Sequence, residues 1–335
     1  MSYNLSIVNH NIKIRTFKER LDDFKFNEHI LKQMKSHNCL ISGIKKQDGT
    51  YEYILENGKL ILKNRIGSKS KYGVVYLTSN KFNNSLFATK LTIMDEENYR
   101  EILISKQLSK ISSLNLNPHF LFIYKSFYCP DNRNLNLPTI IKKENYYISV
   151  NELINGNLKN FFDLKLNSSY NLNALEQILI AILSFHYFTK GIYHADCHYK
   201  NFLYVKIKAG GYFHYKIFGI DYFIKNMGYL WIIWDFGLVR EEPFYKLQRL
   251  KDYFRIANFF NLTSQLSKSG NYRNLLKISD TILDYEYDFQ MRFGNSDKKF
   301  FEEVFVKQLR LFKTRDELPK TFKKINKNPY IINDF

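Results

Sequence analysis

The sequence predicts an α+β protein in two parts: an antiparallel sheet first, a mainly helical half second. Three observations carry that expectation. Tyr51–Leu55 and Leu60–Lys63 are strand-like and flank Glu56-Asn57-Gly58-Lys59. An Asn-Gly between apolar runs is a strong hairpin signal, because both turn residues need positive φ. A run from Asn173 to about Phe188 is apolar on nearly all sides, as a helix at the centre of a domain must be. The chain then reads YHADCHYKNFLYV (Tyr193–Val205), with His194, Asp196 and Asn201 spaced H-x-D-x-x-x-x-N.

The composition supports a folded chain. Its 335 residues can hold one large or two modest domains, and 45% apolar with 17% aromatic residues excludes a disordered one. The net charge of +18 favours acidic partners, namely nucleic acid, phosphates, acidic protein segments or anionic lipid. The charge is spread along the chain, with no zinc-finger spacing and no strongly basic helix. It reads as a solvated basic surface, and no motif indicates nucleic acid. Cys39, Cys129 and Cys197 are odd in number and far apart, so a reducing compartment and no disulfide framework are expected. Cys197 reads as a small buried residue. The apolar runs are too short to span a bilayer and the N-terminus lacks a signal-peptide pattern, so a soluble cytoplasmic protein is expected.

Residues 1–50 read as an N-terminal extension with a short helix at Phe24–Met34 and no chemistry. Phe87–Ile93 is a strand carrying Ala88-Thr89-Lys90. Glu97–Ile111 has helical spacing, with Glu101 ahead of its apolar residues. Phe120–Phe127 and Tyr146–Leu153 are strand-like, separated by a loop rich in Pro and Asn. Asn173-Ala-Leu-Glu176 resembles a capping box opening the apolar helix, and Lys190-Gly191 ends it. Between 206 and 229, two aromatic strands (Tyr212–Phe218 and Tyr222–Ile224) predict an inserted hairpin. Leu230–Trp234 is a strand that delivers Asp235-Phe236-Gly237. Leu247–Ile256 is a helix containing Asp252, and Phe300–Phe312 is helical. Lys320–Lys327 reads as a flexible basic tail.

In this order the motifs resemble the protein-kinase-like fold. The resemblance covers about residues 63–260 and implies two lobes, 51–152 and 153–335. Arg65–Tyr76 resembles the glycine-rich loop, with Ser68, Ser70 and Gly73 in the glycine slots, Ile66 beside them and Val75 over the adenine. Only the third glycine of G-x-G-x-x-G-x-V is kept in that register. Ala88 and Lys90 match the A-x-K strand, whose Lys neutralises the α- and β-phosphates of ATP, with Glu101 as its partner and Glu96 and Glu97 as weaker candidates. Asn151 falls at the gatekeeper position, and Glu152 to Ile154 resemble the segment whose backbone meets adenine. Asp196 would orient the acceptor hydroxyl and take its proton. Asn201 and Asp235 would hold Mg2+.

The family's Arg before the catalytic Asp is replaced by Ala195, and the activation segment is nearly absent. Together these imply no need for activation-loop phosphorylation. The chain is similar to serine/threonine kinases of large DNA viruses, such as iridoviruses and mimiviruses. The inserted hairpin, His198 and the missing Ala-Pro-Glu resemble haspin-like kinases. H-x-D-x-H-x-x-N also occurs in aminoglycoside and choline phosphotransferases. A small-molecule acceptor therefore stays open beside a protein Ser/Thr, as does a non-catalytic pseudokinase or virion scaffold. The partners implied are a protein substrate, an acidic or virion protein among the candidates. The location implied is host cytoplasm and virion.

Overall fold

A computed structural model describes residues 12–34, 39–45, 47, 51–55, 60–66, 73–81, 83–130, 145–241, 247–266, 279–280, 282–283, 297–303 and 315–333. The chain divides into two units. One comprises Met1–Lys13, Lys18–Ser113 and Leu121–Asn155, the other Ile14–Phe17, Leu114–Phe120 and Gly156–Phe335.

The first unit is built on a seven-stranded sheet in which every neighbouring pair is antiparallel. Its strands are β1 (Leu40–Lys45), β2 (Tyr51–Leu55), β3 (Leu60–Ile66), β4 (Gly73–Asn80), β5 (Leu86–Ile93), β6 (Ile123–Cys129) and β7 (Tyr146–Glu152). They are ordered β1-β2-β3-β4-β5-β7-β6. The Asn-Gly signal marks the β2–β3 hairpin, registered Tyr53↔Leu62 and Leu55↔Leu60; its turn lies outside the described residues. Strand alternation sorts the side chains. Val74 and Tyr76 of β4, with Phe87 and Leu91 of β5, enter the main core, while Val75, Leu77 and Ala88 gather in a second cluster.

Helix α1 (Phe17–Lys32) starts earlier than the expected Phe24 and puts Phe24 and Leu31 into the main core. Part of the segment that reads as an N-terminal extension is thus built into this unit, and β1 adds its outer strand. Helix α2 (Glu96–Ser113) follows β5 after a two-residue turn. Asp95 caps it, its Oδ1 accepting from the Asn98 amide at 2.7 Å. The expectation of no disulfide is overturned: Cys39 and Cys129 are joined, with Cα atoms 5.4 Å apart. They flank β1 and end β6, the two outermost strands, so the sheet is curled enough to be stapled edge to edge. A separation of 90 residues leaves no spacing signal for such a pair.

The second unit holds two three-stranded sheets around one apolar helix. Its elements are β8 (Gly156–Asn157), α3 (Leu158–Asp163), α4 (Ser168–Phe188), β9 (Phe202–Lys206), β10 (Tyr212–Ile217), β11 (Ile220–Lys225), β12 (Tyr229–Ile233), α5 (Leu247–Leu266), α6 (Asp297–Phe301) and β13 (Tyr330–Ile332). The sheets are ordered β12-β9-β8 and β11-β10-β13. Phe120, expected to open a strand, forms a bridge with Ile233 instead.

Helix α4 does not start at Asn173. Asn167 caps it, its side chain accepting from the Ser169 and Tyr170 amides. Asn173 and Gln177, one turn apart, instead serve strand ends. Asn173 donates to the Lys225 carbonyl, and Gln177 donates to the Tyr229 carbonyl and accepts from the Trp231 amide. A polar pair on an apolar helix mimics a helix start; here it satisfies buried backbone. Lys190 and Gly191, both at positive φ, end the helix.

The inserted hairpin is β10–β11, turning at Phe218-Gly219 with both residues at positive φ. The expected flexible tail is ordered. Phe322 packs on Tyr212 and Phe223, the buried Asn326 bonds both backbone groups of His214, and β13 pairs parallel with β10. Of the helix expected at Phe300–Phe312, only the first residues are among those described. No helix among the described residues is long and apolar enough to cross a membrane.

Candidate active site

The candidate residues fall into two groups. Ile66, Gly73, Val75, Ala88, Lys90, Glu101, Glu152 and Ile154 belong to the first unit; Asp196, Asn201 and Asp235 belong to the second.

In the first unit, alternation along β5 puts Ala88 and Lys90 on one face. Lys90 Nζ meets Glu101 Oε1 at 2.5 Å, both side chains mostly buried. The short connection suffices because α2 begins directly after β5 and carries Glu101 inward in its second turn. Glu96 pairs with Arg100 at the surface instead. Val75 stands opposite Lys90 in the β4–β5 register. Ile66, Val75 and Ala88 join Leu77, Leu153 and Ile12 in the second apolar cluster, where Ile66 and Val75 are only partly buried. An apolar patch beside a buried ammonium suits a flat base with an attached polyphosphate.

Gly73 is required by packing. A Cβ there would stand 2.7 Å from Thr92 Cγ2 and 2.8 Å from the Leu91 carbonyl oxygen. Ser68 and Ser70 lie outside the described residues. Glu152 is engaged in ways the sequence does not reveal: its amide donates to the Phe122 carbonyl, and its carboxylate takes two 2.8 Å bonds from Arg20. Ile154 is half-buried just beyond β7.

In the second unit, the loop after α4 is pinned from behind. Asp252, on α5, is fully buried. It accepts from the His194 amide (2.7 Å), the Ala195 amide (3.1 Å) and His186 Nε2 (2.9 Å). A buried carboxylate needs such donors. His194 is also buried; Nε2 reaches the Trp234 carbonyl at 2.9 Å and Nδ1 accepts from the Asp196 amide at 3.3 Å. It orients the loop. Phe236 stacks on Phe185 behind it, with centroids 5.2 Å apart.

Ala195 is held at φ 62°, where a non-glycine residue costs roughly 1–2 kcal/mol. This turn brings Asp196 to Asn201. Asn201 Nδ2 donates to the Asp196 carbonyl (2.9 Å) and to its Oδ2 (3.1 Å). His198 Nδ1 accepts from the Lys200 amide, so Nε2 carries the proton; it lies 3.6 Å from Asp196 Oδ2.

Asn201 and Asp235 are neighbours through the β9–β12 ladder. Phe202 pairs with Ile233, and the Trp234 amide donates to the Asn201 carbonyl at 2.9 Å. Asp235, at φ 68°, follows immediately. The Asn201 side-chain nitrogen is engaged by Asp196, which leaves its Oδ1 as an acceptor. One carboxylate and one amide oxygen suit Mg2+, which keeps waters and substrate phosphates as its other ligands. Among the described residues no three His, Cys, Asp or Glu side chains form a metal cage of their own.

Two residues here lie outside the sequence motifs. His186 is buried in α4 behind Asp252. Arg255 sits three residues after Asp252 on α5; its Nη1 donates to the Ala195 carbonyl and lies 3.8 Å from Asp196 Oδ1. The i, i+3 spacing of Asp252 and Arg255 is the signal that could have found it. Cys197 is buried; burial above all, with Asp252 nearby, pushes its thiol well above the ordinary range.

No family model matches the chain. An alignment of 206 positions that covers 55% of the chain is 26% identical to a probable serine/threonine-protein kinase of Invertebrate iridescent virus 6. The match spans 38% of that viral protein's length. Over about half its length the chain is thus similar to a viral protein described as a kinase.

Proposed function

We propose that the chain is an ATP-dependent phosphotransferase, a serine/threonine protein kinase. The observation that carries the reading is the Asp196–Asn201 arrangement: a partly exposed carboxylate held by a side-chain amide, just ahead of a strand whose partner leads directly into Asp235. The Lys90–Glu101 pair and the similarity to the viral kinase support it.

Lys90, fixed by Glu101, neutralises the α- and β-phosphates of ATP. Ile66, Val75 and Ala88 supply an apolar surface for the adenine. Asn201 and Asp235 hold Mg2+, which when bound offsets charge on the phosphate oxygens. Asp196 accepts a hydrogen bond from the acceptor hydroxyl and takes its proton as the oxygen bonds to the γ-phosphorus. The bond from that phosphorus to the β–γ bridging oxygen breaks, and ADP departs. Positioning and charge neutralisation supply most of the acceleration. The net charge of +18 favours an acidic acceptor segment, with a virion protein one such substrate.

The test is transfer from γ-labelled ATP with Mg2+, wild type beside Asp196→Asn, against casein, a basic protein and an aminoglycoside. Label on protein Ser/Thr, lost in the variant, is expected. Label only on the aminoglycoside moves the chain to the small-molecule phosphotransferases. No transfer despite ATP binding points to a missing activator or to a scaffold.

A further inference from the structure

We infer that Arg255 is a positioning residue that clamps Ala195 in its left-handed conformation and so fixes the direction of Asp196. The inference rests on the phosphotransferase reading for its catalytic consequence, but its structural part stands alone.

Helix α5 presents two opposite charges one turn apart to a single residue of the loop. Asp252 takes the Ala195 amide hydrogen at 3.1 Å, and Arg255 Nη1 donates to the Ala195 carbonyl. Both backbone poles of Ala195 are therefore tied to the same rigid element. Ala195 needs that tie, because its φ of 62° is disfavoured for any residue with a Cβ and its methyl group offers no bond to hold it there. Asp196 is the next residue, so relaxation of Ala195 swings its carboxylate away from Asn201.

The remaining contacts of Arg255 agree with this role. The guanidinium lies 3.8 Å from Asp196 Oδ1, while Asn201 Nδ2 holds Oδ2 at 3.1 Å. The carboxylate is thus steered from two sides. The Arg255 side chain is 51% exposed. Its job is therefore not core packing, and its removal leaves no buried cavity.

The experiment compares wild type, Arg255→Ala, Arg255→Gln and Arg255→Lys on the full chain, with two readouts. The first is amide hydrogen exchange at residues 193–198 without nucleotide, alongside the global melting temperature. The second is kcat and KM for ATP in the labelled transfer assay. Arg255→Ala and Arg255→Gln are expected to speed exchange at Ala195 and Asp196 roughly tenfold, with the melting temperature nearly unchanged. They should lower kcat roughly 10- to 100-fold at unchanged KM for ATP, since misplacing a reacting group by about an ångström costs on that order. Arg255→Lys should recover part of both.

Unaltered exchange in the two neutral variants overturns the clamp, whatever the activity. Faster exchange with unaltered kcat overturns its catalytic consequence. If wild type transfers no phosphate while the neutral variants still loosen the loop, the phosphotransferase reading fails and the clamp stands.

Discussion

Lys90 Nζ and Glu101 Oε1 stand 2.5 Å apart, joining the middle of a strand to the second turn of the next helix across 11 residues. The pair is mostly buried, so the geometry of an otherwise flexible lysine is set by its carboxylate partner. Glu101→Ala should therefore leave the charge of Lys90 and remove its direction. The expected result is a rise of roughly 10- to 100-fold in KM for ATP, in line with a charge-assisted bond worth about 1.5–3 kcal/mol. Steady-state kinetics at varied ATP check this; an unchanged KM and kcat would remove Glu101 from the site.

Arg20 and Glu152 form a second buried pair, 1% and 2% exposed, with two 2.8 Å bonds. The guanidinium also lies 4.2 Å over the Phe122 ring. Removing one partner strands the other charge in the interior, a loss of about 3–5 kcal/mol for a buried ion pair. Arg20→Ala should shift the urea midpoint accordingly. Arg20→Met combined with Glu152→Leu should recover much of it, because two apolar side chains carry no desolvation cost. If the double variant is as unstable as the single, the pair is required for more than its own charge balance.

What the sequence makes legible is local. The β2–β3 hairpin, the β10–β11 insertion and the loop after α4 follow from turn chemistry and spacing that act within a few residues. Glu101 can be read because its helix places it ahead of an apolar stripe. What stays hidden depends on distant partners. Arg20 reaches Glu152 across 132 residues, and Arg255 reaches Ala195 across 60. Arg20 carries no local signal, and Arg255 only its i, i+3 spacing from Asp252, which does not name Ala195 as its partner. The start of α4 is obscured because Asn173 has a capping residue's chemistry and uses it on the backbone of β11. The ordered stretch near Asn326 is hidden because its lysines dominate its composition, while Phe322 and Asn326 decide its fate.

The cysteines give a count to check. With Cys39 joined to Cys129 and Cys197 buried, the native protein should titrate almost no thiol. Unfolded without reductant it should show one thiol, and unfolded with reductant all three. Reduction should also destabilise the protein, by up to about 4.6 kcal/mol in the chain-entropy description of a loop of this size. Three thiols in the unreduced unfolded protein would mean that the edge strands are not stapled.

His214 should make stability fall on mild acidification. It lies in β10, nearly buried, stacked on Phe223 with centroids 4.5 Å apart. Nε2 meets Asp221 Oδ1 at 2.7 Å, and the buried Nδ1 has no hydrogen-bond partner. Burial pushes its pKa below the ordinary value; Asp221 pulls it partly back, and Lys324 and Lys216 add to the lowering. Protonation would create a buried N–H at Nδ1 with nothing to receive it. The unfolded chain therefore binds this proton more tightly than the folded one. Stability from this group is full above the unfolded pKa near 6.5, and it is lost as pH falls from there through the lowered folded value. Melting temperatures between pH 7.5 and 5 should decline for wild type and flatten for His214→Asn. An equal decline in the variant would assign the pH dependence to other groups.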